Sequence, residues 1–265
     1  MDRVLISGTI DVVGVWPIAT RARIPSVGCR LRRADFALDA ATLAHRLLGR
    51  LLVRRLDDGT ILAGRIVETE AYVGVEDRAS HAFGGRRTAR NEAMYAMPGT
   101  SYIYFTYGMH HCMNVVCARR GEPAAVLIRA LEPMVGVERM REIRTATRRS
   151  DAPETSQIHT HQLCRGPARL CRAMAIDRRL NGLDLVRAGP LWIAELGLSE
   201  RTDGRGLKGG AMLPVKSGRW RVRRAPRVGV EYAGDWASRP LRWFIDGHPS
   251  VSVRPRLVKR ARQES

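Results

Sequence analysis

Lysine is nearly absent from this chain: Lys208, Lys216 and Lys259 are the only three among 45 basic residues, and the other 42 are arginines. Chemistry that runs through a Schiff base needs an amine nucleophile, so strand-cutting lyase chemistry is not expected of the segments before residue 208. The amino terminus is the formal exception. Long apolar runs are missing as well. No stretch reaches the roughly 18 apolar residues that a membrane-spanning helix requires. The mildly apolar opening segment is broken by Asp11 and Pro17 and has no basic segment before it, which argues against a secretory signal.

Cysteine is too scarce and too irregular for a disulfide framework: Cys29, Cys112, Cys117, Cys164 and Cys171 read as reduced thiols in an intracellular compartment. His110, His111, Cys112 and Cys117 lie close together, as do His159, His161, Cys164 and Cys171. Neither set has the paired CxxC spacing of a structural zinc site, so no metal is expected. Neither a GxxxxGKS nor a GxGxxG fingerprint occurs, and no nucleotide cofactor is expected either.

What is present is positive charge. Lys plus Arg outnumber Asp plus Glu by 45 to 26, a formal net charge of +19, which points to a polyanionic partner. A GC-rich genome accounts for arginine in place of lysine but not for the missing acids. The guanidinium fork suits phosphate. A length of 265 residues with 45% hydrophobic content supplies a core for one large domain or two small ones.

Residues 1–33 show no clear periodicity and read as a flexible extension ending in a basic string. Asp39 then caps an apolar-periodic segment that stops at Gly49, a helix signal. Residues 50–56 and 61–68 read as strands joined across Asp57-Asp58-Gly59. Residues 101–107 and 112–117 form a second hairpin candidate around Gly108, 123–130 a buried strand, and Pro133 to Arg144 a helix with Val137, Met140 and Ile143 on one face. A further helix is expected over 166–176 with Pro167 in its first turn. The polar stretches 145–162 and 199–219 read as loops, and 183–189, 190–195, 227–234 and 241–247 as strands. The expected fold is α+β: a single domain over 34–254 built on a curved antiparallel sheet with flanking helices and a protruding β-hairpin, followed by a basic tail over 255–265.

Against this charge, residues 68–77 reverse sign: Glu68, Glu70, Glu76 and Asp77 fall within ETEAYVGVED. On a strand Glu68 and Glu70 share a face. Two carboxylates so close raise a pKa or demand a cation, and Arg65, Arg86, Arg87, Arg90 and Arg129 are candidates. One reading is a general base that activates water; the other is an acidic sheet edge salt-bridged to arginines. Aromatic residues make up only 6% of the chain, yet Tyr72, Phe83, Tyr95, Tyr102, Tyr104, Phe105 and Tyr107 fall within 36 residues, interleaved with Arg86, Arg87 and Arg90. Stacking surfaces beside cations suit base recognition. A sheet core accounts for Ile103 and Phe105, less well for Tyr107 beside the turn at Gly108. Two basic runs, Arg219 to Arg227 and Arg254 to Arg262, are candidate phosphate-contacting stripes.

VETEAY at 67–72, SHAFGGRRTARN at 80–91, PGTSYIYFTYGMHHCMNVV at 98–116 and LIRALEP at 127–133 resemble the alkyladenine (3-methyladenine) DNA glycosylase family. The likeness continues through LCRGPARLCRAMAI at 163–176 and RVGVEYAG at 227–234. It implies a monofunctional enzyme that flips alkylated or deaminated purines out of double-stranded DNA and hydrolyses the N-glycosidic bond. By that resemblance Glu70 is the catalytic carboxylate that deprotonates water, and Arg129 lies near the water and the phosphate. Tyr72, His81 and Tyr104 line the base pocket, Asn114 screens against the exocyclic amino group of guanine, and Tyr107 intercalates. Arg86 and Arg90 are expected at the DNA backbone. Ala89 stands where proline is frequent in the family, and His110 and His111 where at least one aromatic residue is. The expected setting is a monomer in a bacterial cytoplasm, with no membrane partner. A non-catalytic damage sensor and an RNA-binding module are the rival classes.

Overall fold

The structure is a computed structural model, and the residues it describes are 24–106, 108–146, 158–199 and 220–253. In chain order its first elements are β1 (Ile24–Arg30), α1 (Arg33–Phe36), α2 (Ala40–Leu47), β2 (Leu51–Arg55) and β3 (Ile61–Tyr72). They are followed by β4 (Ser101–Thr106), β5 (His110–Cys117), β6 (Ala124–Val135), α3 (Val137–Thr145), α4 (Thr160–Leu163) and α5 (Pro167–Ala173). The last are β7 (Leu191–Ser199), β8 (Val222–Ala225), α6 (Asp235–Ser238) and β9 (Arg242–Ile245). The fold is α+β, as expected.

Local signals account for several of these elements. The Asp39 carboxylate accepts from Thr42 N at 2.9 Å and opens α2. Ala40, Leu43, Ala44 and Leu47 then recur at helical spacing and are all buried. Pro167 occupies the first turn of α5, where its missing N–H costs nothing. Gly59, at a positive φ of 85°, turns β2 into β3.

All strand pairs are antiparallel, in the order β1-β7-β2-β3-β6-β5-β4, with β8 and β9 added beside β3. The first half of β3 is edged by β2, and at Glu68–Glu70 that edge is taken over by β9. Register shifts around Ile66–Thr69 mark bulges against β6, which bend a strand and increase its twist. Glu68 and Glu70 therefore sit in mid-sheet, flanked by β6 and β9, and not at an acidic edge.

The sheet separates two environments. One face carries Ile66, Ala71, Ile103, Met113, Val115, Val126 and Ile128 into the main core, against the buried residues of α2 and α5. Fully burying each such aliphatic side chain contributes roughly 1.5–3 kcal/mol. Thr69 faces this side and donates to the Ala44 carbonyl of α2 at 2.8 Å. The other face carries Glu68, Glu70 and Tyr72.

Several sequence expectations are corrected here. Ile24–Arg30 are not part of a flexible extension but pair with β7, whose free edge they cover; residues 1–23 lie outside the described residues. Pro133 ends no strand: β6 runs on to Val135, with Pro133 opposite Gly64 beside a register shift, a place where a missing N–H is tolerated. The break comes at Gly136, with φ of 70°, where a Cβ would come within 2.5 Å of Leu62 Cδ2 and 2.7 Å of the Ile61 carbonyl oxygen. Residues 183–189 are turns joined to the sheet by one bridge, Thr100 to Asp184. Residues 227–234 form a loop and a 3-10 turn, Glu231–Ala233, because Gly229 and Gly234 take positive φ. Phe105 alternates out of the core and is 41% exposed. Among the described residues no helix is long and apolar enough to cross a membrane.

Candidate active site

One cross-strand row organises the polar face. Glu70 on β3 lies opposite Leu127 on β6, Leu127 opposite Asn114 on β5, and Asn114 opposite Tyr102 on β4. Directly opposed residues point to the same side of a sheet, so four strands deliver one surface. Asn114 is 3% exposed and its Nδ2 donates to the Tyr102 carbonyl at 3.1 Å.

Glu70 is fully buried and has three partners. Arg129 Nη1 lies 3.1 Å from Oε1, Val228 N donates to Oε1 at 2.8 Å, and the Tyr72 hydroxyl donates to Oε2 at 3.1 Å. Arg129 also reaches Glu68 Oε1 from its Nε at 3.3 Å, and the Ser252 hydroxyl oxygen accepts from its Nη2 at 3.3 Å. Glu68 is balanced further by Arg242 Nη1 at 2.8 Å and by Ser252 N, which donates at 2.6 Å. One guanidinium thus bridges two buried carboxylates, and a second cation completes the charge balance. Burial pushes the Glu70 carboxyl above its ordinary value, as does the nearby Glu68, while Arg129, the Val228 N–H and the Tyr72 hydroxyl pull it down.

Aromatic rings gather beside this carboxylate. The His81 and Tyr104 ring centroids are 4.5 Å apart, edge to face, and Tyr102 and Tyr104 lie 5.5 Å apart. His81 Nδ1 and the Tyr102 hydroxyl share a hydrogen bond of 2.7 Å. Burial, with the positive charges of Arg90 and Arg86, lowers the His81 pKa to about 4, so the imidazole is neutral near pH 7. A neutral ring stacks against a cationic base without charge repulsion.

Next to His81 opens a cleft of about 310 Å³ lined by Arg78, Phe83, Arg86, Arg90 and Tyr232 among others. Both sequence-expected backbone cations, Arg86 and Arg90, are on it and exposed. Glu70 does not line it, whereas His81 does. Arg90 also donates to the Phe105 carbonyl at 3.1 Å and lies 5.7 Å from the Tyr104 ring centre.

The structure therefore brings Glu70, Arg129, Tyr72, His81, Tyr104 and Asn114 to one face, with Arg86 and Arg90 at its margin. Tyr107 lies outside the described residues. Its neighbour Gly108 turns at φ of 65° and Met109 is 65% exposed at the tip of the β4–β5 hairpin. Arg227, counted in a basic run, is no surface cation: it is buried against Asp77. Three positions escaped sequence reasoning. Asn91 is 1% exposed and donates to the carbonyls of His81 at 3.0 Å and Arg86 at 2.8 Å, while accepting from Thr88 N at 2.7 Å. It shapes the 81–91 loop, and its only signal was its place in SHAFGGRRTARN. Arg242 and the Val228 main chain left no signal of role, because both act through long-range contacts. Among the described residues no three His, Cys, Asp or Glu side chains gather as metal ligands do.

Buried carboxylate, bridging guanidinium and clustered rings beside an arginine-lined cleft are the equipment of a hydrolase acting on a base attached to a sugar-phosphate chain. Residues 34–249 match the sequence profile of methylpurine-DNA glycosylase, and the chain belongs to that family. It is accordingly a DNA glycosylase, a hydrolase of N-glycosyl bonds, of a class acting on alkylated purines. A DNA-3-methyladenine glycosylase of Homo sapiens is 42% identical over 234 residues, covering 88% of this chain and 72% of the human one. A putative 3-methyladenine DNA glycosylase of Desulfitobacterium hafniense is 38% identical over 225 residues, covering 85% and 99%. One from Methanocella arvoryzae is 42% identical over 212 residues, covering 80% and 90%.

Proposed function

We propose that this chain, working as a monomer on double-stranded DNA inside the cell, flips alkylated purines such as 3-methyladenine out of the duplex. It then hydrolyses their N-glycosidic bond with water activated by Glu70. The observation that carries this reading is the environment of Glu70: a fully buried carboxylate held by Arg129, the Val228 N–H and the Tyr72 hydroxyl beside the ring cluster.

The chemistry follows from that environment. A glycosidic bond breaks through an oxocarbenium-like transition state. An ionised Glu70 stabilises the positive charge developing on the sugar, and in a site shielded from solvent that interaction is strong. Water attacks the anomeric carbon, its proton passes to Glu70, and the bonding electrons leave with the purine. Arg129 favours the ionised form of Glu70 and orients it. A cationic purine such as 3-methyladenine is a good leaving group and is attracted to electron-rich rings, which is the part assigned to Tyr72, His81 and Tyr104. Glu70 is fully covered as it stands, so a flipped nucleotide reaches it only when the groups above it move. Asn114 is assigned the screening of the purine, and Tyr107 the filling of the space left in the duplex, a role supported by its place in the sequence next to Gly108. Extrusion costs a few kcal/mol, least for weakly paired lesions.

The chain's three lysines, Lys208, Lys216 and Lys259, all lie beyond residue 207 and away in sequence from the segments 67–133 that carry the proposed site, which supports a monofunctional mechanism without Schiff-base strand cutting. The test is release of free 3-methyladenine from methylated duplex DNA, with Glu70→Gln as control. Release by the parent and none by the variant is expected. Lesion binding with no release by the parent overturns the enzymatic reading in favour of a damage sensor.

A further inference from the structure

Behind two of the donors that reach Glu70 stands one buried ion pair. Asp77 and Arg227 have fully buried side chains and meet through a double contact, Nη1 to Oδ2 at 2.5 Å and Nη2 to Oδ1 at 2.8 Å. Arg227 Nη1 also donates to the Ala71 carbonyl at 2.9 Å, which fastens it to the strand residue between Glu70 and Tyr72. Its guanidinium carbon lies 4.7 Å from the centre of the Tyr72 ring. Its chain neighbour is Val228, whose N–H lies 2.8 Å from Glu70 Oε1. Asp77 in turn accepts from Val73 N at 3.1 Å and Ala79 N at 3.0 Å, holding the loop that leads from β3 to His81.

Such a pair is an expensive way to tie two loops together. Buried charges lose hydration that their attraction offsets only with good geometry, and an apolar pair of similar volume is often as stable. Arg227 Nε has, in addition, no hydrogen-bond partner among the described residues. Stability alone does not account for the choice, but direction does. A guanidinium fork against a carboxylate sets angle as well as distance. What it holds at a set angle here are the Tyr72 ring and the 227–228 peptide, the sources of both uncharged donors to Glu70.

We propose that Asp77 and Arg227 are positioning residues for base release: their pair holds the Val228 N–H and the Tyr72 hydroxyl against Glu70 and so fixes where its two oxygens point. This rests on the function proposed above. The groups facing Glu70 are Arg129 from β6, Glu68 and Tyr72 from β3, Tyr104 from β4, Cys112 from β5 and Arg227 from the 226–230 loop. The Val228 and Tyr72 donors both lower the Glu70 pKa, so loosening them raises it.

The test uses the whole protein with Asp77→Asn/Arg227→Gln, which removes both charges together and so leaves no unpaired buried charge, and with Arg227→Lys, which keeps the charge without the fork. Arg227 faces Glu70 and Asp77 does not, so Arg227→Lys, which keeps the cation, separates loss of the fork from loss of its field. Carbon-13 carboxyl signals of labelled glutamate, with Glu70 assigned by its loss in Glu70→Gln, give its titration midpoint whether or not the protein releases a base. In the double variant the midpoint is expected to rise by about 1, the size of one weakened charge-assisted hydrogen bond. A smaller rise is expected in Arg227→Lys. The acid limb of single-turnover base release moves with the midpoint. An unmoved midpoint, a slower reaction with an unmoved acid limb, or a double variant that does not fold overturns the proposal, leaving the pair a folding element only. A parent that releases no base while the midpoint still moves overturns the proposed function and leaves the positioning role standing.

Discussion

Arg129 Nη1 lies 3.1 Å from Glu70 Oε1, with the two side chains 7% and 0% exposed. A charge pair this deep makes Glu70→Gln an informative change, because the amide keeps the shape and removes only the basicity. Loss of a general base costs about 10²- to 10⁴-fold, and single-turnover base release is expected to fall within that range. Stability is expected to hold or rise. Burial already disfavours the ionised form of Glu70, and Arg129 keeps Glu68 as a partner. A melting temperature several degrees below the parent contradicts this.

The pH dependence separates Glu70 from His81. The Glu70 pKa lies above the ordinary 4.5 for its type, whereas that of His81 is lowered to about 4. As pH falls, base release is therefore expected to fail first through protonation of Glu70, and His81→Gln leaves that acid midpoint in place. Stability follows His81 with a definite sign. Between its ordinary 6.5 and about 4, the unfolded chain takes up a proton that the folded one refuses, so the stability His81 contributes above 6.5 is lost as pH drops through that window. Melts at about pH 7 and about pH 5 are expected to differ less in His81→Gln than in the parent.

Arg86 and Arg90 share the cleft beside His81. If they meet phosphates, replacing either with alanine weakens damaged and undamaged duplexes alike and reduces the slope of log affinity against log salt by about 1. A loss confined to damaged DNA contradicts a backbone role.

Asn91 joins His81, Arg86 and Thr88 through one buried amide. Asn91→Ala removes four hydrogen bonds, counting that from the Thr88 hydroxyl at 3.1 Å, each contributing about 0.5–1.5 kcal/mol. Chemical denaturation is expected to show a loss of about 2–6 kcal/mol, with weaker DNA binding because the loop carrying His81, Arg86 and Arg90 loosens. A stability equal to the parent's shows that the loop is held elsewhere.

Much of this arrangement was legible locally. Asp39 caps its helix and Asp57-Asp58-Gly59 turns its hairpin, because capping and turning involve neighbours in the chain. Alternation placed Glu68 and Glu70 on one face. Other features were not legible for reasons equally physical. Ile24–Arg30 form a strand only because the edge of β7 lies beside them. RVGVEYAG looks like a strand by its valines, yet Gly229 turns it aside, and the resulting loop carries the Val228 N–H to Glu70. Arg227 reads as one more surface cation among neighbours of the same charge, since nothing nearby announces Asp77 150 residues away.

By itself the chain dictated its polyanion-seeking charge, its family motifs and the period-two pattern of β3, all properties of residues close together or of their sum. Only tertiary structure decided that Glu70 stands in mid-sheet in a row with Asn114 and Tyr102, that Arg129 bridges two carboxylates, and that one arginine of a basic run turns inward. Strand register and the burial of a charge depend on partners far along the chain, and those partners meet only when the sheet closes.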